Sequence, residues 1–484
     1  MLTTALETLE QSEPVPTTDI PSREPGLGEV SIPAPHPLAV RRFGDLVLIR
    51  GPRAVTAFHT GLLEVAQTPD EAWQAAFGES GRETASFGKM NGEMKVKSSS
   101  LGLLQEIREE LSAWSASKSS SAVDVDAGRE IRSITINVAQ VCNLGCTYCA
   151  AGGDGTYGER VKAIDLSSTE RQIRHLMSSV RPGETFRITF LGGEPLVVPN
   201  VIRSLVRFAR LEAAGRSIQL RFDMVTNGTL ITPEIAEMLA DMQCHLSISI
   251  DGPPEINDRN RPTKGGTGST YLTLRGIEHL RPVRERLGRL TAAAVFGTHN
   301  TDVLATWSYL RELPVDSIKF DFAAEIGDQD ASRAYALSLC EVAERAYALG
   351  GEKELRRLSI FDTFFRILDN QTRIQSHCGA GKDHLQIDAK GRFSACQWFV
   401  GQPEEDLGSG ISIDEARRAE LFGDALVEKN NCQTCWARFV CGGGCMFAHK
   451  TKTGSRNRVD SDYCERQRMS IAKGIELYGQ SRIS

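Results

Sequence analysis

No apolar run in these 484 residues approaches the roughly 20 needed for a helix to span a bilayer, so a helical membrane protein is not expected. An excess of basic charge is missing as well. The 56 Lys and Arg stand against 62 Asp and Glu, a formal charge of −6. That balance gives no electrostatic reason to expect nucleic acid or an anionic membrane as a partner. The opening stretch MLTTALETLEQSEPVPTTDIPSREPG is acidic and Pro-rich, with no basic segment leading into an apolar one. A secretory signal is therefore not expected, and the cytoplasm is the compartment the sequence favours. Hydrophobic content of 40% and charged content of 24% are those of a soluble globular chain, and the length suggests about two to four domains.

Cysteine is plentiful: twelve residues, of which ten fall in two groups, near 142–149 and from 378 to 464. In a reducing compartment such clusters point to metal ligands and not to disulfides. Only Cys244 and Cys340 stand apart.

Along the chain, residues 1–35 are rich in Pro, Ser, Thr and Glu without apolar periodicity, and a disordered tail is expected there. Over 36–115 a small α+β module is expected. "DLVLIRG" and "AVTAFHTGLLEV" give short strands or a hairpin turning at Gly51-Pro52, and "PDEAWQAAFG" and "LLQEIREELSAW" give helices. A Ser-rich linker over 116–130 follows. From 131 to 330 six strand-like segments alternate with helical ones: "SITINVA", "FRITFLG", "IQLRFDMVTNG", "CHLSISIDG", "LTAAAVFG" and "SIKFDFAAE". That alternation implies a parallel α/β architecture, either an open sheet or a partial barrel, with its chemistry at the C-terminal strand ends. Residues 331–377 read as bridging helices, and 378–470 as a Gly- and Cys-rich segment that needs metal to fold.

The loop "VAQVCNLGCTYCAAGG" follows the first of the six strands and carries Cys142, Cys146 and Cys149. Three thiolates from one loop can cap three irons of a [4Fe–4S] cubane and leave the fourth open to bind and activate a small molecule. Zinc would want a fourth protein ligand, and no His or Cys follows closely. The CxxxCxYC pattern resembles the hallmark of the radical S-adenosylmethionine superfamily, and further motifs match in order. "GGEP" (Gly192, Gly193, Glu194, Pro195) ends the second strand, "TNG" with Asn227 the third, and "SIDG" with Ser249 the fourth. The resemblance implies a partial (β/α)6 barrel that binds S-adenosyl-L-methionine. By the same resemblance Gly192, Gly193 and Glu194 serve its amino group, Arg261 its carboxylate, and Tyr148 lies near its adenine. Asn227 and Ser249 are carried over as further cofactor-binding positions.

In the second cysteine group Cys378 leads to Gly391-x4-Cys396, then Cys432-x2-Cys435-x5-Cys441-x3-Cys445, then Cys464. CxxC pairs also bind zinc, but these seven positions resemble the SPASM domain, which carries two auxiliary [4Fe–4S] clusters. The resemblance implies one fully ligated cluster on Cys432, Cys435, Cys441 and Cys464, and another on Cys378, Cys396 and Cys445. The second set lacks a ligand, to be supplied by a further protein residue or by a substrate thiolate. Cys340 is one candidate, yet it shares a helical face with Ala336, Ala343 and Tyr347, as a buried core thiol would. Cys244 reads as structural.

SPASM enzymes mostly modify peptides or proteins. The segments "VAQVCNLGCTYC", "INDRNRPTKGGTGST" and "CGAGKDHLQIDAKGRFSAC" are similar to those of maturases that make intramolecular thioether crosslinks, in six-cysteine peptides and in the quinohemoprotein amine dehydrogenase small subunit. What this implies is cleavage of S-adenosylmethionine to a 5′-deoxyadenosyl radical, hydrogen abstraction from a precursor peptide or small protein, and sulfur-to-carbon bond formation. An electron donor such as flavodoxin or ferredoxin is implied as a second partner. Two departures stand out: Ala150 follows the third cysteine where many six-cysteine relatives have Phe, and 36–115 resembles a winged-helix peptide-recognition element only in its strand-then-helix order. Carbon–carbon crosslinking, formylglycine formation as in sulfatase maturases, and a non-catalytic iron–sulfur recognition protein remain alternatives.

Overall fold

A computed structural model describes residues 39–43, 45–51, 55–68, 107, 109, 123–125, 130–149, 161–323 and 329–482. The expected tail over 1–35, the helix over 69–78, Ala150 and most of the linker lie outside them. Of the helix expected over 103–114, only Ile107 and Glu109 are described, both helical.

At the N-terminal end four strands form an antiparallel meander: β1 (Ala39–Phe43), β2 (Leu46–Arg50), β3 (Val55–His59) and β4 (Glu64–Thr68). Gly51 ends β2, near the turn the sequence suggested. Residues 55–68 form two short strands that turn through Thr60 to Leu63, whose φ is 58°. A short strand β5 (Val123–Val125) follows.

The main sheet then begins with β6 (Ser133–Ala139). All seven of its residues are buried, as a parallel strand covered on both faces requires. It is followed by α1 (Leu166–Met177), β7 (Thr185–Gly192), α2 (Pro199–Ala214), β8 (Gln219–Thr226), α3 (Pro233–Asp241) and β9 (His245–Ser249). The half-barrel continues with α4 (Pro254–Asn260), α5 (Thr270–Leu280), β10 (Leu290–Phe296), α6 (Val303–Leu310) and β11 (Ser317–Phe322). Local chemistry sets the helix starts. The Asp165 side chain accepts Ser168 N–H, Thr232 accepts Ile235 N–H and Asp302 accepts Ala305 N–H, while α2, α3 and α4 carry Pro in their first turn. Strands β6 to β11 lie side by side in chain order, each parallel to the next, with Ile134 opposite Ile188 and Phe190 opposite Met224. This is the partial, barrel-like α/β fold expected from the alternation. Phe186, Phe190 and Phe296 are fully buried within it.

Beyond the barrel come α7 (Gln329–Leu355, broken at Gly350 and Gly351), α8 (Ser359–Asp369) and β12 (Thr372–Ile374), which pairs with β5. Strands β13 (His384–Ile387) and β14 (Phe393–Ser394) extend the main sheet, β13 running parallel to β6 with Leu385 opposite Ile134. The cysteine-rich segment is thus joined to the barrel through the sheet itself. A helix α9 (Met446–Thr453) and a long helix α10 (Ser461–Ser481) close the described chain, and α10 packs on α7, α8 and the N-terminal meander. No helix among the described residues is long and apolar enough to cross a membrane.

The C-terminal ends of β6, β7, β8 and β9 gather on one side of the sheet. The loops that leave them carry the cysteine triplet, the Gly-Gly-Glu segment, Asn227 and Ser249.

Candidate metal centre

The loop from Cys142 to Cys149 is held from two sides. On one, Gly193 N–H donates to Ala139 O (2.9 Å) and Glu194 N–H to Val141 O (3.0 Å), prolonging the β6–β7 pairing past the strands. Only glycine allows this approach: a Cβ on Gly192 (φ 143°) would lie 2.1 Å from Ala139 O, and one on Gly193 2.4 Å from Val141 O. On the other side, Gly145 N–H donates to Pro262 O (2.8 Å) and Thr147 N–H to Asn260 O (2.9 Å). The triplet is therefore clamped between the end of β7 and the segment after α4.

Cys142 Sγ receives the Leu144 amide at 3.4 Å and Asn227 Nδ2 at 3.8 Å. Asn227 also donates to Asn143 Oδ1 (2.9 Å), and Asn143 donates to Thr229 Oγ1 (2.8 Å), which ties the cysteine loop to the end of β8. Burial pushes the Cys142 thiol up to about 11, the Leu144 amide opposing it and the Glu194 and Cys146 charges adding to it. Cys146 is pushed to about 11 by burial, with Arg261 opposing and the Cys149 charge adding. Cys142 thus feels the charge of Cys146, and Cys146 that of Cys149. Amide and side-chain N–H groups aimed at sulfur favour its ionised form.

Glu194 is 1% exposed and turned into the scaffold. Its carboxylate accepts Thr226 Oγ1–H (2.7 Å), Asn227 N–H (2.8 Å) and Leu196 N–H (3.0 Å). Burial pushes it up to about 7 against the pull of those donors. In this arrangement the carboxylate binds strand ends together, a task its motif did not announce. Ser249 closes β9 opposite Ala293 and is half-buried.

A constellation that sequence reasoning missed centres on Asp251, which is fully buried. Tyr148 Oη donates to Asp251 Oδ2 (2.8 Å) and Arg261 Nη2 to Oδ1 (3.0 Å). The Tyr148 ring stacks on His299 at 4.2 Å between centroids, and the Arg261 guanidinium lies 5.3 Å from the Tyr148 ring centre. Asp251 belongs to the "SIDG" motif, so the signal was present. Its partners come from three separate stretches of chain, which no local pattern links.

Among the seven C-terminal cysteines the Cys432 thiol is raised to about 12, by burial first and then by the charges of Cys435 and Cys464. Cys441 is likewise raised by burial and then by Cys464, Cys435 and Cys432. These four line one cleft with Gly443, Gly444, His449 and Tyr463. Cys396 is raised by burial and then by Cys445 and Cys378. Three residues lie between Cys441 and Cys445. These are Gly442, Gly443 and Gly444, which all take positive φ and turn the chain there. Tyr463, beside Cys464, packs edge-on against His449 at 4.9 Å. Cys340 (7% exposed) donates weakly to Met469 O on α10, and Cys244 is fully buried at the start of β9. Both occupy the core, as their sequence positions suggested.

The donor chemistry fits iron–sulfur clusters. All twelve cysteines are free. Among the described residues no three His, Cys, Asp or Glu side chains close on a point that could hold a single metal ion. Arg261 Nε, buried and without a hydrogen-bond partner among the described residues, suits an anionic ligand beside the triplet.

Over this half-barrel, with the cysteine loop on its first strand, the chain matches the model of the Radical SAM superfamily at residues 136–302. Its relatives include an uncharacterised protein of Methanocaldococcus jannaschii, 33% identical over 40% of this chain and 62% of that protein. The chain thus spans a little under two thirds of the length of that relative. The radical SAM cyclopropyl synthase TigE of Paramaledivibacter caminithermalis is 24% identical over 73% of this chain and 75% of TigE. A serine-type anaerobic sulfatase-maturating enzyme of Klebsiella pneumoniae is 25% identical over 67% and 84%. Among solved structures, native anSMEcpe with bound AdoMet superposes with a TM-score of 0.62 at 18% identity, covering 72% of this chain and 99% of that one. The likeness to it is one of fold.

Proposed function

We propose that this protein is a radical S-adenosylmethionine maturase that modifies a ribosomally made peptide or protein, forming Cys thioether crosslinks. What supports the proposal is the pattern of charge influence among the C-terminal cysteines, Cys432 and Cys441 with Cys435 and Cys464, and Cys396 with Cys445 and the exposed Cys378, read as a set of four and a set of three. A four-thiol set satisfies a cubane completely; a three-thiol set leaves one iron for an outside ligand. We assign that ligand to a substrate cysteine, which places the thiolate where a sulfur-to-carbon bond is to form.

On this proposal Cys142, Cys146 and Cys149 hold the catalytic [4Fe–4S] cluster, and the two C-terminal sets hold auxiliary ones. Such a cluster supplies, with S-adenosylmethionine, the 5′-deoxyadenosyl radical that takes hydrogen from a substrate carbon. The chain's own residues position and shield. Gly192 and Gly193 bring β7 against the cysteine loop, Asn227 donates toward Cys142, and Arg261 keeps a charged donor free for the methionine carboxylate. Precursor peptide, an electron donor such as flavodoxin or ferredoxin, and a cytoplasmic setting belong to the same proposal.

A second reading is formylglycine formation, which the sulfatase-maturating relative supports. Anaerobically reconstituted protein, reduced with dithionite and given S-adenosylmethionine, should release 5′-deoxyadenosine. Loaded protein that releases none sinks both readings. With a Cys-containing precursor, a product short of two hydrogens and one alkylatable thiol supports the thioether. A product with every thiol free points to carbon–carbon linkage, and an aldehyde trapped by a hydrazine points to formylglycine.

A further inference from the structure

Asp251 touches neither the cysteines nor open space, yet everything around the triplet converges on it. Its backbone is fixed first. Asp251 N–H donates to Asn257 Oδ1 (3.0 Å), and its carbonyl accepts Thr306 Oγ1–H (2.9 Å) and Asn300 Nδ2–H (3.2 Å). The carboxylate, so anchored, has three donors: Tyr148 Oη on Oδ2, and Arg261 Nη2 with Val295 N–H (3.1 Å) on Oδ1. Tyr148 lies between Cys146 and Cys149 in the cysteine loop, and Arg261 caps the C-terminal end of α4.

A buried guanidinium without a carboxylate partner is strongly disfavoured, and one held by a single Nη keeps its other edge for a second anion. That is the state of Arg261: Nη2 is engaged by Asp251, while Nε is buried and open among the described residues. The ion pair is enclosed, with side-chain exposures of 9% for Arg261 and 0% for Asp251. Solvent therefore screens it little.

We propose that Asp251 is a positioning residue that couples ligand binding to the geometry of the cysteine loop: one oxygen aims Arg261 at the carboxylate of S-adenosylmethionine, and the other fixes Tyr148 and with it the loop bearing Cys146 and Cys149. The inference rests on the cluster and cofactor assignment proposed above and adds to it the group that makes the two sites one unit. Ligand pulling on Arg261 is felt at the cysteine loop through this buried carboxylate, beside the backbone bonds from Gly145 and Thr147 to Pro262 and Asn260.

The test uses anaerobically prepared, cluster-loaded full-length protein. It reads S-adenosylmethionine affinity by equilibrium dialysis and the EPR signal of the dithionite-reduced protein with and without S-adenosylmethionine. In Asp251→Asn the dissociation constant should rise about 10–100-fold, in line with losses elsewhere when a supporting partner of a metal site is removed, and the EPR response should shrink while iron content stays at the wild-type level. Tyr148→Phe deletes one oxygen and keeps the Arg261 pair, so a rise of about three- to tenfold is expected, with an altered line shape. Phe at 148 added to Asp251→Asn should cost little more, because the shared partner is already gone. Wild-type affinity and line shape in Asp251→Asn overturn the inference. If that variant does not fold, unchanged values in Tyr148→Phe overturn it. A wild-type EPR signal that ignores S-adenosylmethionine removes the cofactor assignment and this inference together, whereas a responsive wild type matched by its variants removes this inference alone.

Discussion

Glu194 N–H donates to the carbonyl of Val141 at 3.0 Å, so the end of the second barrel strand pairs with the loop that carries Cys142. Gly193 makes that approach possible, since a Cβ there would lie 2.4 Å from Val141 O and 2.5 Å from Val141 C. Both are backbone atoms, so the clash cannot be relieved by turning a side chain. Gly193→Ala should push the cysteine loop away from β7 and lower stability by more than about 2 kcal/mol. It should also cost about four of about twelve irons per chain, those of the triplet, while the C-terminal sets keep theirs. Iron and sulfide analysis with circular dichroism checks this; full iron content in Gly193→Ala would show that the loop tolerates the shift.

The proposed assignment of Cys441 and Cys445 to different clusters gives a test by pairs. Cys441→Ala and Cys464→Ala remove ligands from one proposed cluster, so the double variant should lose no more iron than either single one, about four per chain. Cys441→Ala with Cys396→Ala removes ligands from both, and its losses should add to about eight. Cys340→Ala should lose none, because that thiol is enclosed between α7 and Met469 of α10. Losses that add within the set of four, or that fail to add across the two sets, would contradict the division.

The half-barrel was legible because of strands buried on both faces or alternating strictly, as in Ser133–Ala139 and Leu290–Phe296, and because the first four strands end in motifs. Other parts were hidden for physical reasons. Strand β13 is four residues long, and its membership of the sheet depends on pairing with β6, some 250 residues away in sequence. Helix α10 buries Arg466, Lys473 and Glu476, so charges interrupt the apolar stripe by which a helix is recognised. The cysteine triplet was readable from one loop, whereas Asp251 gathers Tyr148, Arg261 and Val295 through the fold alone.

His384 on β13 lies against the Ser133 hydroxyl (Nδ1, 2.9 Å) and the Thr135 hydroxyl (Nε2, 3.4 Å) of β6. Burial, and after it the Arg187 charge, push its imidazole down to about 4. The ordinary value is about 6.5, so between these pH values the unfolded chain binds the extra proton. The stability that neutral His384 contributes is complete above pH about 6.5 and is lost as pH falls toward about 4. The slope approaches one proton, about 1.4 kcal/mol per pH unit. His384→Asn should flatten this part of the profile, read as thermal midpoints of anaerobic protein between about pH 5 and 7. Parallel profiles for the two proteins would show that His384 is not the group responsible.

Lys473 is 1% exposed, and its ammonium meets Glu344 of α7 and Glu476 of its own helix. Burial works against its charge and the two carboxylates restore it. Glu476 also fills the space above Gly51, where a Cβ would lie 1.9 Å from its Oε1, so the cluster joins α10 to α7 and to the N-terminal meander. Lys473→Met removes an ammonium that meets both carboxylates, at a cost of about 3–5 kcal/mol. Pairing it with Glu476→Gln should recover part of that loss, since one of the stranded charges is then gone. Urea unfolding followed by circular dichroism reads both variants. A loss below about 1 kcal/mol in Lys473→Met would mean that water reaches the carboxylates.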